Sequence, residues 1–361
     1  MPSNLSEAQV IEALRGVRDP DLGRDIVSLG FIKDLALRDG NVAFTIELTT
    51  PACPVRDQMR EEARRKVAAL AGVKHVEIQM TSQVRSSFGP DPRRFVPQVR
   101  NVVPIASGKG GVGKSTVSAN LALALRQKGA RVGLLDADVY GPSIPTILGV
   151  TERPASAENR IRPVEKYGLK IMSAGFFMAE NEAAIVRGPI LHKMMEQFLS
   201  TVDWGELDYL LVDLPPGTGD VQLSLCQMIP LTGAAVVSTP QDVALKVAQK
   251  AILMFQKLNC PVLGLIENMS THLCGHCGAR DEIFGSGGVR RAAEAQGIPF
   301  LGELPLATAI RTASDSGAPL GDRNPSDPLA QAFARIAENL AAQISIRNLR
   351  GEANPEIRIT Y

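Results

Sequence analysis

Residues 108–115 read Gly-Lys-Gly-Gly-Val-Gly-Lys-Ser, a G-x-x-x-x-G-K-S run between an apolar stretch and a helical pattern. Its glycines let successive backbone N–H groups turn into one concavity, and the helix that follows adds its own unpaired N–H groups. Such a cradle suits a polyphosphate. The expected ligand is ATP with Mg²⁺, held by Gly108, Lys109, Gly110, Gly111, Val112, Gly113, Lys114, Ser115 and Thr116. Lys114 is expected on the β and γ phosphates, and the Ser115 hydroxyl on the Mg²⁺. Asp213 closes the apolar run Tyr209–Val212, where a carboxylate holds Mg²⁺ in phosphoryl-transfer sites. Pro215–Asp220 then forms a loop placed to sense the γ phosphate. Asp136 and Asp138 end another apolar run, and either could orient the attacking water. For any one of these acids the competing role is a helix N-cap. Several together at strand ends beside a phosphate loop argue for chemistry.

A second group of reactive side chains is Cys274-Gly-His-Cys277-Gly. Flanking glycines let two thiolates converge in a tight loop. Soft thiolates suit an iron–sulfur cluster or zinc, and both need about four ligands. His272 and His276 could complete a zinc set, or a second subunit could supply two more sulfurs across a two-fold axis. A redox disulfide and inert thiols are the other readings of this spacing. Cys53 lies between a strand pattern and a helix pattern, either as an accessory ligand with a lowered pKa or as a small core residue. Cys226 and Cys260 lie in apolar surroundings and read as core. His75 and His192 carry no assigned role.

The elements that must position these groups alternate. Val102–Ala106, Val132–Leu135, Tyr209–Val212, Ala234–Val237 and Val262–Ile266 read as buried parallel strands. Thr116–Lys128 and Asp242–Leu258 read as helices between them. This order predicts an α/β fold, a doubly wound and mostly parallel sheet. Pro104 conflicts with it, because proline withholds a ladder donor. The strand is expected to start after it or to break there. A small α+β domain precedes. Ser6 and Gln9 form a capping box before Val10, Ile11 and Leu14. Val42–Leu48 and Val76–Met80 alternate as strands, and Met59, Ala63, Val67 and Leu70 share a helical face. Between the two blocks, residues 82–101 hold Pro90, Pro92, Pro97 and four arginines against one acid, the composition of a linker. The expected division is 1–81, a linker at 82–101, an ATPase domain at 102–345 and a tail at 346–361.

Composition narrows the function classes. The 361 residues carry 39 Lys plus Arg against 38 Asp plus Glu, a net charge of +1. That balance argues against a dedicated nucleic-acid binder. No run of 18 apolar residues occurs, so no membrane span or membrane partner is expected. The first residues lack a basic and then apolar leader pattern. Five cysteines, an odd and low number, fit a reducing cytoplasm better than a disulfide framework.

The second lysine of the loop, Lys109, resembles the signature of the deviant Walker group that includes MinD, ParA and the nitrogenase iron protein. More closely, the chain resembles the Mrp/ApbC-type iron–sulfur cluster carriers, relatives of the eukaryotic Nbp/Cfd scaffold ATPases. The resemblance spans about residues 102–340. It rests on SGKGGVGKST at 107–116, LLDADVYGPS at 134–143, VRGP at 186–189, LLVDLPPGTGD at 210–220, STPQDVAL at 238–245, IENMS at 266–270 and CGHCG at 274–278. Asp19-Pro20-Asp21 and Thr50-Pro51-Ala52-Cys53-Pro54 resemble the small DUF59-like domain of cluster-assembly proteins. The resemblance implies a homodimer that bridges a 4Fe–4S cluster through Cys274 and Cys277 of each subunit. It implies weak ATPase activity coupled to loading or transfer, with apo iron–sulfur proteins and cluster-assembly factors as partners. Lys109, Lys114, Asp138 and Asp213 take the catalytic positions, Lys109 reaching a partner subunit's phosphates, and Asn268 the adenine contact. Two other outputs stay open, a MinD- or ParA-like partitioning ATPase and a dimeric ATPase whose thiols hold structural zinc.

Overall fold

In the computed structural model, which describes residues 5–88, 95–157, 160–177 and 188–350, Ser6 and Gln9 close the expected capping box. The Ser6 hydroxyl accepts the Gln9 N–H at 3.3 Å, and Gln9 Oε1 accepts the Ser6 N–H at 2.9 Å. They open α1 (Glu7–Leu14). The chain divides into two compact units, Met1–Arg85 and Ser86–Tyr361. The first holds a three-stranded sheet, β1 (Ile32–Arg38), β2 (Asn41–Leu48) and β3 (His75–Ser82) in that order. β1 pairs antiparallel with β2, and β2 parallel with β3, so α2 (Arg56–Ala68) is the crossover between parallel neighbours. The alternating side chains Val42, Phe44, Ile46 and Leu48 bury against Val10, Leu14, Met59, Ala63 and Val67. Alternation and helical spacing thus meet in one small core. β3 runs one residue past the expected domain limit, through Ser82.

The following segment does not behave as a free tether throughout. Ser87 Oγ lies 2.7 Å from Asn101 Oδ1, 2.9 Å from Thr232 Oγ1 and 2.7 Å from Asn348 Oδ1, inside the second unit. Residues 89–94 of the expected linker lie outside the described residues.

The second unit is built on a nine-stranded sheet. Its strands are β4 (Val102–Ser107), β5 (Val132–Asp136), β6 (Val164–Lys166), β7 (Leu169–Ser173), β8 (Tyr209–Asp213), β9 (Ala234–Ser238), β10 (Val262–Leu273), β11 (Arg280–Asp281) and β12 (Phe300–Leu306). They lie in the order β6-β7-β5-β8-β4-β9-β10, and β11 and β12 both pair with β10. β6 and β11 are antiparallel to their neighbours; the other pairings are parallel. Helices α3 (Lys114–Gln127), α4 (Gly188–Ser200), α5 (Asp220–Met228), α6 (Asp242–Lys257), α7 (Gly288–Gln296) and α8 (Pro328–Arg350) accompany them. The chain winds from β4 towards β5 and β7, returns to β8, then crosses to β9 and beyond. Ligand crevices open at the carboxyl ends of strands where the winding reverses, here beside β4.

Pro104 does not break β4. The strand runs through it, fully buried, and Pro104 stands opposite Val212 of β8. The reason is direction. Leu210 and Leu214 of the β8 side donate to the carbonyls of Asn101 and Ile105, whereas Val102 exchanges bonds with Thr232 on the β9 side. Even-numbered residues therefore face β9, whose registered pairing begins only at Ile105. The missing N–H costs the β8 ladder nothing. At the other end α8 buries Phe333, Ile336, Leu340 and Ile344, and continues to Arg350 through residues expected in the tail. Residues 351–361 lie outside the described residues.

Candidate functional site

β4 ends at Ser107, and the phosphate loop turns from there into α3. Gly111 and Gly113 stand at φ +78° and +79°, the left-handed region that a side chain disfavours. A Cβ on Gly113 would fall 2.3 Å from Asn268 Nδ2, and one on Gly108 would fall 2.4 Å from the Ala248 nitrogen of α6. The motif's glycines are thus required by two separate neighbours as well as by the turn. The loop walls a cavity of about 290 Å³ with Lys109, Lys114, Ser115 and Thr116, closed opposite by Asp138 and Pro216.

Asp213 ends β8 with no exposed surface. Its Oδ2 accepts from Lys114 Nζ at 2.6 Å and from Ser115 Oγ at 2.6 Å. Its Oδ1 accepts from Ser118 Oγ at 2.5 Å. Ser118 belongs to none of the expected site residues. Its only trace in the sequence is a hydroxyl one helical turn beyond Ser115, on the face that α3 turns to β8.

Asp136 and Asp138, equivalent in sequence, differ in place. Asp136 is fully buried at the end of β5, beside Asp213 in register. Its Oδ2 accepts from the Ser143 and Ile144 amides and from Ser173 Oγ, and its Oδ1 from the Asp138 amide. Burial, then the Asp213 charge, pushes its pKa up to about 7, against the Ile144 amide, the Ser173 hydroxyl and Lys114. Asp136 therefore ties down the loop after β5, and Asp138 is the acid that lines the cleft. Asp138 also lines an adjoining cavity of about 580 Å³ with Tyr140, Pro215, Pro216 and Gln222. Buried Gln222, a second unforeseen residue, donates to the Pro215 carbonyl at 2.7 Å and the Gly217 carbonyl at 3.2 Å, bracing the loop after β8.

Lys109 also lines the cleft and lies 3.5 Å from Gln241 Oε1. Asn268, on β10, donates to the Val112 carbonyl at 2.8 Å, so it grips the phosphate loop itself. The set Ser115 Oγ, Asp213 and Asp138 is all hard oxygen, and the adjacent buried pair Asp136 and Asp213 is offset by one lysine, Lys114. That donor chemistry fits Mg²⁺.

The same β10 ends at Leu273, and the thiol pair occupies the turn into β11. The Cys274 N–H donates to the Ala279 carbonyl at 3.0 Å, and Gly278, at φ +69°, donates to the Cys274 carbonyl at 2.9 Å. Cys274 is half-buried and Cys277 exposed. The Cys277 amide, the His276 amide and the Cys277 thiol hold the Cys274 thiol below its ordinary pKa. Amides directed at a sulfur favour the thiolate, the form that binds metal. Among the described residues no three of His, Cys, Asp and Glu converge as a metal site. The alternative of a one-chain zinc set with His272 and His276 is therefore not assembled among the described residues, and the loop brings two sulfurs without a third ligand beside them. Cys53 packs against the apolar core of the first unit; Cys226 and Cys260 are buried. His192 Nδ1 lies 3.1 Å from Ser224 Oγ. Residues 186 and 187 of the VRGP motif lie outside the described residues.

One match among known proteins spans both sites. Residues 98–341 match the family described as NUBPL iron-transfer P-loop NTPase, and residues 7–80 match the iron–sulfur cluster assembly protein family. The iron–sulfur cluster carrier protein of Deinococcus radiodurans is 46% identical over 342 residues, covering 94% of this chain and 96% of that one. The carrier protein of Synechocystis is 43% identical over 351 residues, covering 96% and 99%. Among solved structures, a nucleotide-binding protein of Archaeoglobus fulgidus in complex with ADP is 40% identical, with a TM-score of 0.55 over 61% of this chain and 87% of that one. With a phosphate loop and a thiol pair on one sheet, and relatives alike over nearly its whole length, the chain belongs to the NUBPL-type iron-transfer P-loop NTPases.

Proposed function

We propose that the protein is an ATP-hydrolysing carrier that holds a 4Fe–4S cluster between two copies of itself and passes it to apo-proteins. The observation that carries this reading is the half-built thiol site: two sulfurs at the end of the strand whose Asn268 grips the phosphate loop. A 4Fe–4S cargo needs four thiolates. A two-fold axis supplies them with no further ligand from either chain. The carrier names of relatives at 43% and 46% identity support the same cargo.

In this reading ATP enters the cleft and its β and γ phosphates draw Lys114 away from Asp213. Asp138, at the cleft wall, accepts a hydrogen bond from the attacking water and orients it. The water oxygen bonds to the γ phosphorus, the bond to the β–γ bridging oxygen breaks, and ADP and phosphate leave, the phosphate carrying the two protons of the water. Ser115 and Asp213 would hold Mg²⁺, which would supply charge neutralisation at the phosphates. Lys109 reaches the phosphates of the partner subunit. Turnover is slow and coupled to cluster loading or release, with apo iron–sulfur proteins and assembly factors as partners. The first unit serves as an accessory assembly domain. Five cysteines, an odd number, suit a cytoplasmic setting. Among the described residues no helix is long and apolar enough to cross a membrane.

Anaerobic reconstitution tests the proposal. The wild type should take up about four irons and four sulfides per two chains, and the Cys274→Ala/Cys277→Ala variant none. Zinc without acid-labile sulfide in the wild type would sink the carrier reading. Equal cluster-transfer rates from wild type and Lys114→Ala in ATP would sink the coupling.

A further inference from the structure

Glu267, Asn268 and Met269 are consecutive on β10; Asn268 and Met269 lie against the phosphate loop, and Glu267 holds the start of α7. Asn268 donates to the Val112 carbonyl of the phosphate loop at 2.8 Å. Glu267 has no exposed surface, and its two carboxylate oxygens accept the Gly287 and Val289 amides, each at 2.8 Å. Those amides open α7, where the chain returns from the thiol loop. Neighbouring strand residues face opposite ways, so one short segment grips the phosphate loop on one side and α7 on the other.

Met269 adds a bend. Its φ is +59°, in the left-handed region that non-glycine residues rarely occupy. Its methyl group lies 3.7 Å from where a Cβ on Gly113 would stand. The register between β10 and β12 shifts between Asn268 and His272. Beyond this bend the strand runs on for four residues to Leu273, and Cys274 follows. The thiol loop therefore leaves from one side of the 267–269 segment and is tied back to it at Gly287. A buried carboxylate at a helix start is a stable cap in its own right. A cap alone does not account for the strained residue two positions on, against the phosphate loop. Such strain persists where the surroundings over-determine it, and it clusters at active sites, ligand clamps and switch regions.

We propose that Glu267 and Met269 are positioning residues, and that residues 267–269 form the joint through which occupancy of the phosphate loop sets the placement of Cys274 and Cys277. Movement of the Val112–Gly113 backbone is passed by Asn268 and the Met269 bend to the leading end of the thiol loop. Glu267 passes it to the trailing end. Coupling of this kind is reciprocal, so thiol-loop ligation shifts nucleotide affinity by the same factor. The inference rests on the reading that nucleotide fills the 108–116 cradle, and the test separates the two.

The test uses the full-length, cluster-free, reduced protein. Nucleotide binding is measured by calorimetry with Mg-ADP. Alkylation by iodoacetamide is followed peptide by peptide in the mass spectrometer, with Cys53 of the first unit as internal reference. In the wild type, Mg-ADP should change the Cys274 and Cys277 rates by about fivefold or more and leave Cys53 unchanged. Glu267→Gln keeps the shape and loses the charge and one acceptor. Met269→Val disfavours the left-handed backbone, and Met269→Asn tolerates it. The nucleotide effect on the thiols should collapse towards unity in Glu267→Gln and Met269→Val and survive in Met269→Asn. Hydrogen exchange on the wild type gives a check free of variants, because Mg-ADP should alter the protection of the Gly287 and Val289 amides. Nucleotide binding with unchanged thiol rates and unchanged amide protection overturns the inference. So does an undiminished effect in both Glu267→Gln and Met269→Val. Failure of the wild type to bind nucleotide overturns the proposed function instead.

Discussion

Asp136 offers a pH experiment with a worked sign. Its carboxyl is fully buried beside Asp213, and its pKa stands at about 7 in the folded protein against 3.8 for the ordinary group. Between those values the folded state keeps a proton that the unfolded state has released. Stability then falls as pH rises, with a slope of about 1.36 kcal/mol per pH unit. The Asp136→Asn variant has no proton to lose at this position, so the substitution removes this loss. It also places an amide donor against either the Asp138 N–H or the Ser143 and Ile144 amides, a cost independent of pH. The informative quantity is therefore the difference in unfolding free energy, variant minus wild type, followed across pH. It should rise by about 2 kcal/mol from pH 5 to pH 7, two units of that slope rounded off as the folded pKa is reached, and level off above. Trp204 is the single tryptophan; it is buried in the second unit and donates to the Phe198 carbonyl. Its fluorescence during urea unfolding reports that unit selectively. A difference that stays flat from pH 5 to 8, or falls, would falsify the assignment of a retained proton to Asp136.

Two other substitutions follow from the same geometry. Gly113→Ala forces a Cβ against Asn268 and a left-handed alanine; together about 2–3 kcal/mol should weaken ADP binding by roughly 30- to 150-fold, and calorimetry showing less than tenfold refutes it. Ser118→Ala removes a charge-assisted bond of about 1.5–3 kcal/mol from Asp213, so ATP turnover should drop about tenfold or more with substrate affinity nearly held; unchanged turnover in a phosphate-release assay would leave Ser118 a packing residue only.

Much of the site is legible in the sequence because the relevant signals are contiguous. The phosphate loop, the acid after Tyr209–Val212 and the thiol pair each lie within one short run. The buried parallel strands announce themselves as apolar stretches. What stays hidden depends on direction and on distant partners. Asp136 and Asp138 look alike until the loop after β5 folds back and engages the oxygens of one with the amides at 143 and 144. Pro104 reads as a strand breaker because a sequence does not say towards which neighbour a residue's N–H would point. β1 is hard to see because a register shift between Lys33 and Ala36, with Asp34 at φ +52°, breaks the alternation that marks β2 and β3. Glu267 reads as one charged residue just after the apolar run Val262–Ile266, and its value as a cap appears only once α7 starts beside it.

The Lys114–Asp213 bond has a consequence for how the protein meets its nucleotide. The lysine that would bind phosphate is already engaged, 6% exposed, with a carboxylate of its own chain. Asp213 is in effect a tethered competitor at a fixed and high local concentration. Every incoming nucleotide is measured against it, so affinity reflects a difference between two anions and not the sum of phosphate contacts. A ligand with fewer phosphates displaces the competitor less completely.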